Sequence, residues 1–417
     1  MGTPASPRSR APLWLALVAT AIGIGLAFLL KEPCTRGAWG PPGKFEYRRL
    51  CYNDLQPLFH VRGISQGLVP YRDVEVEYPV ITGMFMDVSG RVLRWVAESK
   101  PLGIEVANSD PDYFRLSALL LAPFAFAITV KLRRRVTAGR LMLWAVGPPI
   151  ILYAFHNWDL LAVAGAVWGL VEAERSQFAS AGAGLGLGAS AKLFPAFLVP
   201  GALLQRWQER DRRGALLLFA GFLLGAAAAN VPWIILAPEG WLATWTFHAD
   251  RYPDFGSVWF WIAEHGKDFV PTSWWEPGQS GYRDLVNVAS LVLFAGGALA
   301  FLGRGWVRGR SAGRYPLAAT GLGILAVFLL VSKVHSPQYA LWVLPFLVLL
   351  NVPRGIVAAY FLTDLAVFVS GFYWFTVFEF PGTGWGGIFE AAVWLRAISL
   401  GLLAWWATRA ERLEPEA

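Results

Sequence analysis

Charge is scarce in this chain. Asp, Glu, Lys and Arg make up 16% of its 417 residues, whereas 55% are hydrophobic and 15% aromatic. That leaves too little polar surface for a soluble globular domain. With only two cysteines, a disulfide-dense secreted scaffold is excluded. There is no Walker loop, no dinucleotide glycine pattern followed by an acidic residue, no HExxH and no Cys/His metal spacing. The chemistries those motifs support have nothing to stand on, and no metal or other cofactor is expected. A basic groove on a soluble domain is missing too, so the net charge of +7 does not point to nucleic acid. Strong tandem repeats and low-complexity linkers are absent.

What is present is one apolar run after another. Residues 12–30, "PLWLALVATAIGIGLAFLL", suffice to cross a hydrocarbon core of about 30 Å as a helix. The following "KEPCTRG" lacks the small-residue pattern of a cleavage site, so the segment reads as a retained first helix. Further apolar stretches lie at 113–130, 141–156, 159–173, 177–191, 193–204, 214–231, 286–303, 315–332, 337–350, 355–372 and 389–407. The expected fold is therefore an all-α polytopic membrane protein of about 12 transmembrane helices. Its parts are a cytoplasmic N-terminal arm at 1–11, a single membrane domain at 12–407 and a cytoplasmic tail at 408–417.

Charge placement orients this bundle, because Lys and Arg of short loops gather on the cytoplasmic side. "KLRRRVTAGR", "QRWQERDRR" and "RGWVRGRSAGR" fall inside if both termini are cytoplasmic. Two long polar segments, 31–112 and about 232–285, then lie outside, and the five histidines His60, His156, His248, His265 and His335 all fall in outer segments. Reactive side chains thus collect at one face. Cys34 and Cys51 share the first outer segment. There they either close a loop, stabilising by about 3 kcal/mol, or remain free thiols. At 79–97 charged residues alternate with apolar ones. Val80, Met84, Val88 and Val92 set against Asp87, Arg91 and Glu98 predict an amphipathic helix on the membrane surface.

The first outer segment contains "NDLQPLF" at 53–59 and "GLVPYRDVEVEYPVITGMF" at 67–85. Directly after a first membrane helix, this resembles the first outer loop of GT-C-type glycosyltransferases, nearest to the polyprenol-phosphate-mannose-dependent mannosyltransferases of glycosyltransferase family 87. The resemblance implies that Asp54 supplies the catalytic carboxylate. Pro70, Tyr71, Asp73, Tyr78 and Pro79 match the family's second loop element. "KLFPAFLVP" at 192–200 and "SKVHSPQYALWVLPFLVLL" at 332–350 resemble later family segments. Val80 stands where a second proline is usual, and "HNWD" at 156–159 where a Gly-Gln-x-Asn element is common. The fold implied is a GT-C-like bundle. The function implied is transfer of a sugar, mannose by this likeness, from a polyprenyl-phosphate donor to a glycolipid or glycan acceptor. The enzyme would sit in the plasma membrane with its site on the outer face, in cell-envelope glycolipid synthesis.

Such a transfer needs a carboxylate to take the proton of the attacking hydroxyl, cations to hold the departing phosphate and aromatic faces for sugar and lipid. Asp54 is the expected base, the alternative being a loop or helix-capping aspartate. Asp73 and Glu77 compete from the same loop, although "VEVEYP" also reads as a short exposed stretch. For the phosphate, Lys192 stands among apolar and small residues, and a lysine snorkelling from a helix end is the competing reading. Lys333 and His335 precede Pro337, which is expected to open a helix with free N-terminal amides. Arg251 joins this phosphate group. Asn53, Tyr71, Asp73, Glu77, Tyr78, His156, Asp159 and His248 are candidates for acceptor binding or for supporting the site, and a boundary turn capped by Asn157 would explain "HNWD" almost as well. The rival function is a transporter or flippase of a lipid-linked or small polar solute, which would place ionisable groups near mid-span.

Overall fold

The computed structural model describes residues 11–37, 39–40, 44–266, 280–377 and 384–412. The N-terminal arm before residue 11 and the end of the tail lie outside them, as do parts of the second large loop and the last outer piece. Among the described residues there are eighteen α-helices and no strand, only two isolated bridges. The first stretch of chain forms α1 (Leu13–Lys31), α2 (Phe45–Arg48), α3 (Leu55–Val61), α4 (Val80–Ser99) and α5 (Asp110–Arg133). The middle forms α6 (Ala138–Val146), α7 (Pro148–Tyr153), α8 (Asp159–Glu174), α9 (Phe178–Ala189), α10 (Leu198–Gln208) and α11 (Arg212–Leu236). Then come α12 (Pro238–Asp250), α13 (Val258–Gly266), α14 (Gly281–Ala312), α15 (Leu317–Val331), α16 (Ala340–Leu349), α17 (Arg354–Val377) and α18 (Trp385–Ala407).

Six of these, α1, α5, α11, α14, α17 and α18, are long and apolar enough to cross a membrane. In hydrocarbon every backbone polar group must be paired within the segment, which a helix achieves. Shorter apolar helices, among them α9, α15 and α16, pack between them. Helix is found at each of the twelve apolar stretches, with local departures. The stretch 141–156 breaks where Gly147 turns extended and Pro148 opens α7. Residues 194–197 form a 3-10 turn before α10.

All ten residues of α16 are buried, because α6, α7, α8 and α15 surround it. α9 and α11 approach through glycine. A Cβ on Gly182 would lie 2.0 Å from the Leu218 carbonyl oxygen, and one on Gly221 2.2 Å from that of Ala179. Small residues substitute here for the hydrophobic effect, which lipid does not provide between helices. Leu216, Leu224 and Ile235 of α11 and Val288, Leu291 and Leu299 of α14 are exposed, as lipid-facing side chains are. At the end of the bundle remote from α3, Glu172 pairs with Lys131 and Arg175, and Glu174 with Arg135 and Arg412.

The first loop departs from expectation at one residue. α4 is a helix in which Val80 of the apolar stripe is buried, Met84 and Val92 are half-buried and Val88 is exposed, but Asp87 of the expected polar face is buried beside Arg91 at 2.8 Å. Glycine explains that burial. Gly83 meets the Tyr71 ring and Gly90 the Ile64 side chain so closely that any Cβ would clash, so the small-residue face packs inward. Cys34 and Cys51 are joined as a disulfide, tying the end of α1 to the start of α3.

Candidate active site

The loops after α1, α7, α12 and α15 enclose a cavity of about 830 Å³. Asp54 stands on its wall. It occupies the residue before α3, yet its side chain makes no capping bond. Asn53 does that work: its Oδ1 accepts the Gln56 N–H at 3.1 Å, and its Nδ2 donates to Gln56 Oε1 at 2.8 Å. The Asp54 carboxylate is therefore free to accept from elsewhere. Tyr52 donates to Oδ1 at 2.9 Å, while Asn157 Nδ2 at 2.6 Å and Tyr78 at 3.3 Å donate to Oδ2. Its backbone N–H donates to the His156 carbonyl at 2.8 Å. The segments "CYND" and "HNWD", a hundred residues apart, thus build one corner. Burial, and then the charge of Asp54, raise the Tyr52 and Tyr78 phenols well above their ordinary range. Both stay protonated and remain donors.

Nine of the thirteen residues singled out from the sequence line this cavity: Asp54, Glu77, Tyr78, His156, Lys192, His248, Arg251, Lys333 and His335. Glu77 is paired with Arg62 at 2.6 Å. Lys192 is buried rather than snorkelling. It forms an ion pair with Asp159 at 3.3 Å and stands over the Tyr78 ring at 5.1 Å and the Tyr339 ring at 5.5 Å. Lys333 donates to the Ala249 carbonyl at 2.8 Å, and burial lowers its ammonium to about 8. Burial also pushes the His156 and His335 imidazoles well below their usual value, so both are neutral. Arg251 faces Asp254 at 3.8 Å.

Four candidates lie off the cavity. Asn53 caps α3, as described. Tyr71 is buried and donates to the Tyr78 carbonyl at 2.8 Å, bracing the loop. Asp73 accepts from Val69 N–H and Arg72, and these partners hold its carboxyl down at about 2. Asp159 is fully buried beneath Lys192 and accepts from Trp342 at 2.6 Å. Pro337 opens a helical stretch: a 3-10 turn at Pro337–Tyr339, in which Tyr339 N–H is bonded to the Ser336 carbonyl, runs directly into α16. Among the described residues no group of three or more His, Cys, Asp or Glu side chains could hold a metal ion.

Several contributors escaped sequence reading. Asn157, read as a turn cap, accepts the Trp158 N–H at 2.6 Å with its Oδ1 while its amide holds Asp54. Lys31, at the end of an apolar run, resembles any snorkelling lysine, yet it is 0% exposed. Arg396, deep in α18, donates to the Gly256 carbonyl at 2.8 Å and the His335 carbonyl at 3.4 Å. It ties two cavity loops to the bundle, and nothing in its sequence surroundings signals this.

The opposite side of the cavity is apolar. Tyr47, Phe372, Phe375 and Phe255 pack ring against ring, 5.4–5.9 Å apart between neighbours. Fold and site together define a polytopic all-α membrane protein with a partly buried carboxylate, lysine and arginine cations and an aromatic wall around one cavity. The model of glycosyltransferase family 87 matches residues 106–332, more than half of the chain. The chain belongs to that family of GT-C-type glycosyltransferases. No curated protein matches it. The matched region contains His156–Asp159, Lys192 and His248–Arg251. It begins after Asp54, near the end of the first outer segment, and ends before His335.

Proposed function

We propose that this glycosyltransferase is inverting and moves a sugar, mannose by the likeness of its first loop, from a polyprenyl-phosphate donor to a glycolipid or glycan acceptor on the outer face of the plasma membrane. The observation that carries the reading is Asp54. Its carboxylate, aimed by Tyr52, Tyr78 and Asn157, shares one cavity with Lys192, Arg251 and Lys333. As the acceptor hydroxyl oxygen bonds to the anomeric carbon, Asp54 takes its proton and the carbon–oxygen bond to phosphate breaks. The electron pair leaves with the phosphate, whose charge the lysines and Arg251 offset. Glu77, tied to Arg62, is less available as a base. The transport reading loses ground to the family membership, and it also wants ionisable groups spread through mid-span.

The test uses the full chain in lipid with radiolabelled polyprenyl-phosphate mannose and a panel of glycolipids. Label should move to a new lipid. Asp54→Asn should lower turnover by about 10²–10⁴-fold while donor binding changes little. Near-normal turnover in that variant removes Asp54 as base. Absence of transfer from every sugar donor tried sinks the reading as a whole.

A further inference from the structure

Lys31 is a buried lysine that the proposed mechanism leaves unused. Its Nζ lies 2.9 Å from the Tyr52 carbonyl oxygen and 3.2 Å from His156 Nδ1, over the Phe368 ring at 5.2 Å and the Phe372 ring at 5.9 Å. No Asp or Glu of the described residues forms an ion pair with it, unlike Lys192 or Lys131. Both groups it touches are neighbours of Asp54. Tyr52 donates its phenol to the carboxylate, and the His156 carbonyl receives the Asp54 N–H.

A carbonyl oxygen only accepts, and an ammonium has no lone pair. As an ammonium, Nζ donates to both partners and leaves His156 Nδ1 as the unprotonated nitrogen. The one proton of the neutral imidazole then sits on Nε2. Tyr52, Tyr153 and Phe372 clamp the ring, with centroids 5.7–6.1 Å away, and the residue lines the cavity beside Asp54.

We infer that Lys31 is a positioning residue that sets the tautomer of His156, so that its Nε2–H serves as a neutral hydrogen-bond donor to a substrate oxygen next to Asp54. The substrate half of this inference rests on the transferase reading above; the tautomer half does not. A neutral donor suits this place, because a second full cation beside the base would weaken its hold on a proton.

Two experiments separate the halves. Nitrogen-15 NMR of histidine-labelled full chain in lipid, with the His156 signals identified by their loss in His156→Gln, should show Nδ1 unprotonated and Nε2 protonated. Lys31→Met should shift those signals towards a mixture of tautomers. A proton on Nδ1 in the unaltered chain overturns the inference, whether or not Lys31→Met folds and whether or not transfer is ever observed. In transfer assays, His156→Gln retains an N–H near the Nε2 position. Lys31→Met should lower kcat/KM at least tenfold in the unaltered chain and less than twofold in the His156→Gln background. Equal losses in both backgrounds would make Lys31 a packing residue and end the proposal.

Discussion

At the scale of single residues, adjacent side chains divide the work. Asn53 and Asp54 are both plausible caps by type, and the sequence alone does not say which one turns back to α3. The backbone decides: Asn53 reaches Gln56, leaving Asp54 to Tyr52, Tyr78 and Asn157. A hydrogen bond to a charged group contributes about 1.5–3 kcal/mol, so Asn157→Ala should lower kcat by about 10–100-fold. A loss of less than twofold would show that Asn157 does not hold the base. Lys333 sets a pH limit. Its ammonium is lowered to about 8, first by burial and then by Arg283. The charged form therefore prevails below that pH and disappears above it. KM for the donor should rise as pH passes 8, and Lys333→Arg, which keeps its charge, should flatten that limb. An alkaline limb unchanged in Lys333→Arg would remove Lys333 from phosphate binding.

At the scale of elements, α12 shows how a helix outside the bundle positions the site. Gly240, Thr244 and His248 recur every four residues and so lie on one face. Thr244 donates to the Val76 carbonyl at 2.9 Å, and His248 meets the Glu77 carbonyl at 2.9 Å. A Cβ on Gly240 would come 1.8 Å from the Tyr71 carbonyl oxygen. This face presses on the loop that carries Tyr78 to Asp54. Gly240→Ala should lift α12 from that loop, lowering stability by about 1–3 kcal/mol and turnover with it, read by thermal unfolding and transfer assay in parallel. Unchanged values for both would show the contact to be slack. The helix was not legible beforehand, because the stretch reads as polar loop and the contacts lie some 170 residues away in sequence. α4 was legible as a helix but the burial of its Asp87 was not, since apolar periodicity takes no account of where glycine permits close approach.

At the scale of the whole molecule, orientation in the membrane is the property to test. The Cys34–Cys51 disulfide suits an oxidising exterior, and it belongs to the loop that brings Asp54 to the cavity. A Leu102→Cys thiol, fully exposed in the same outer segment, should be labelled by a membrane-impermeant thiol reagent from outside intact cells. Labelling only after lysis would turn the proposed topology over. Cys34→Ser should lower stability by about 3 kcal/mol by removing the cross-link from the unfolded chain, read as a lowered Tm in lipid. Most of the bundle was readable, because a bilayer demands helices and helices demand runs of apolar residues. Nine of the thirteen candidate residues share one cavity, because they cluster in the few polar segments an apolar chain has.

Composition by itself determined that this chain is helical, that it lives in a membrane and that its chemistry gathers in its polar loops, since hydrophobicity and periodicity are local properties. Only the tertiary structure decided that Asn157 and Tyr78 reach Asp54, that Lys192 is matched by Asp159 and that Lys31 lies behind His156. Those relations join segments up to 125 residues apart through hydrogen bonds and an ion pair of about 3 Å. Such distances exist only once the helices have packed.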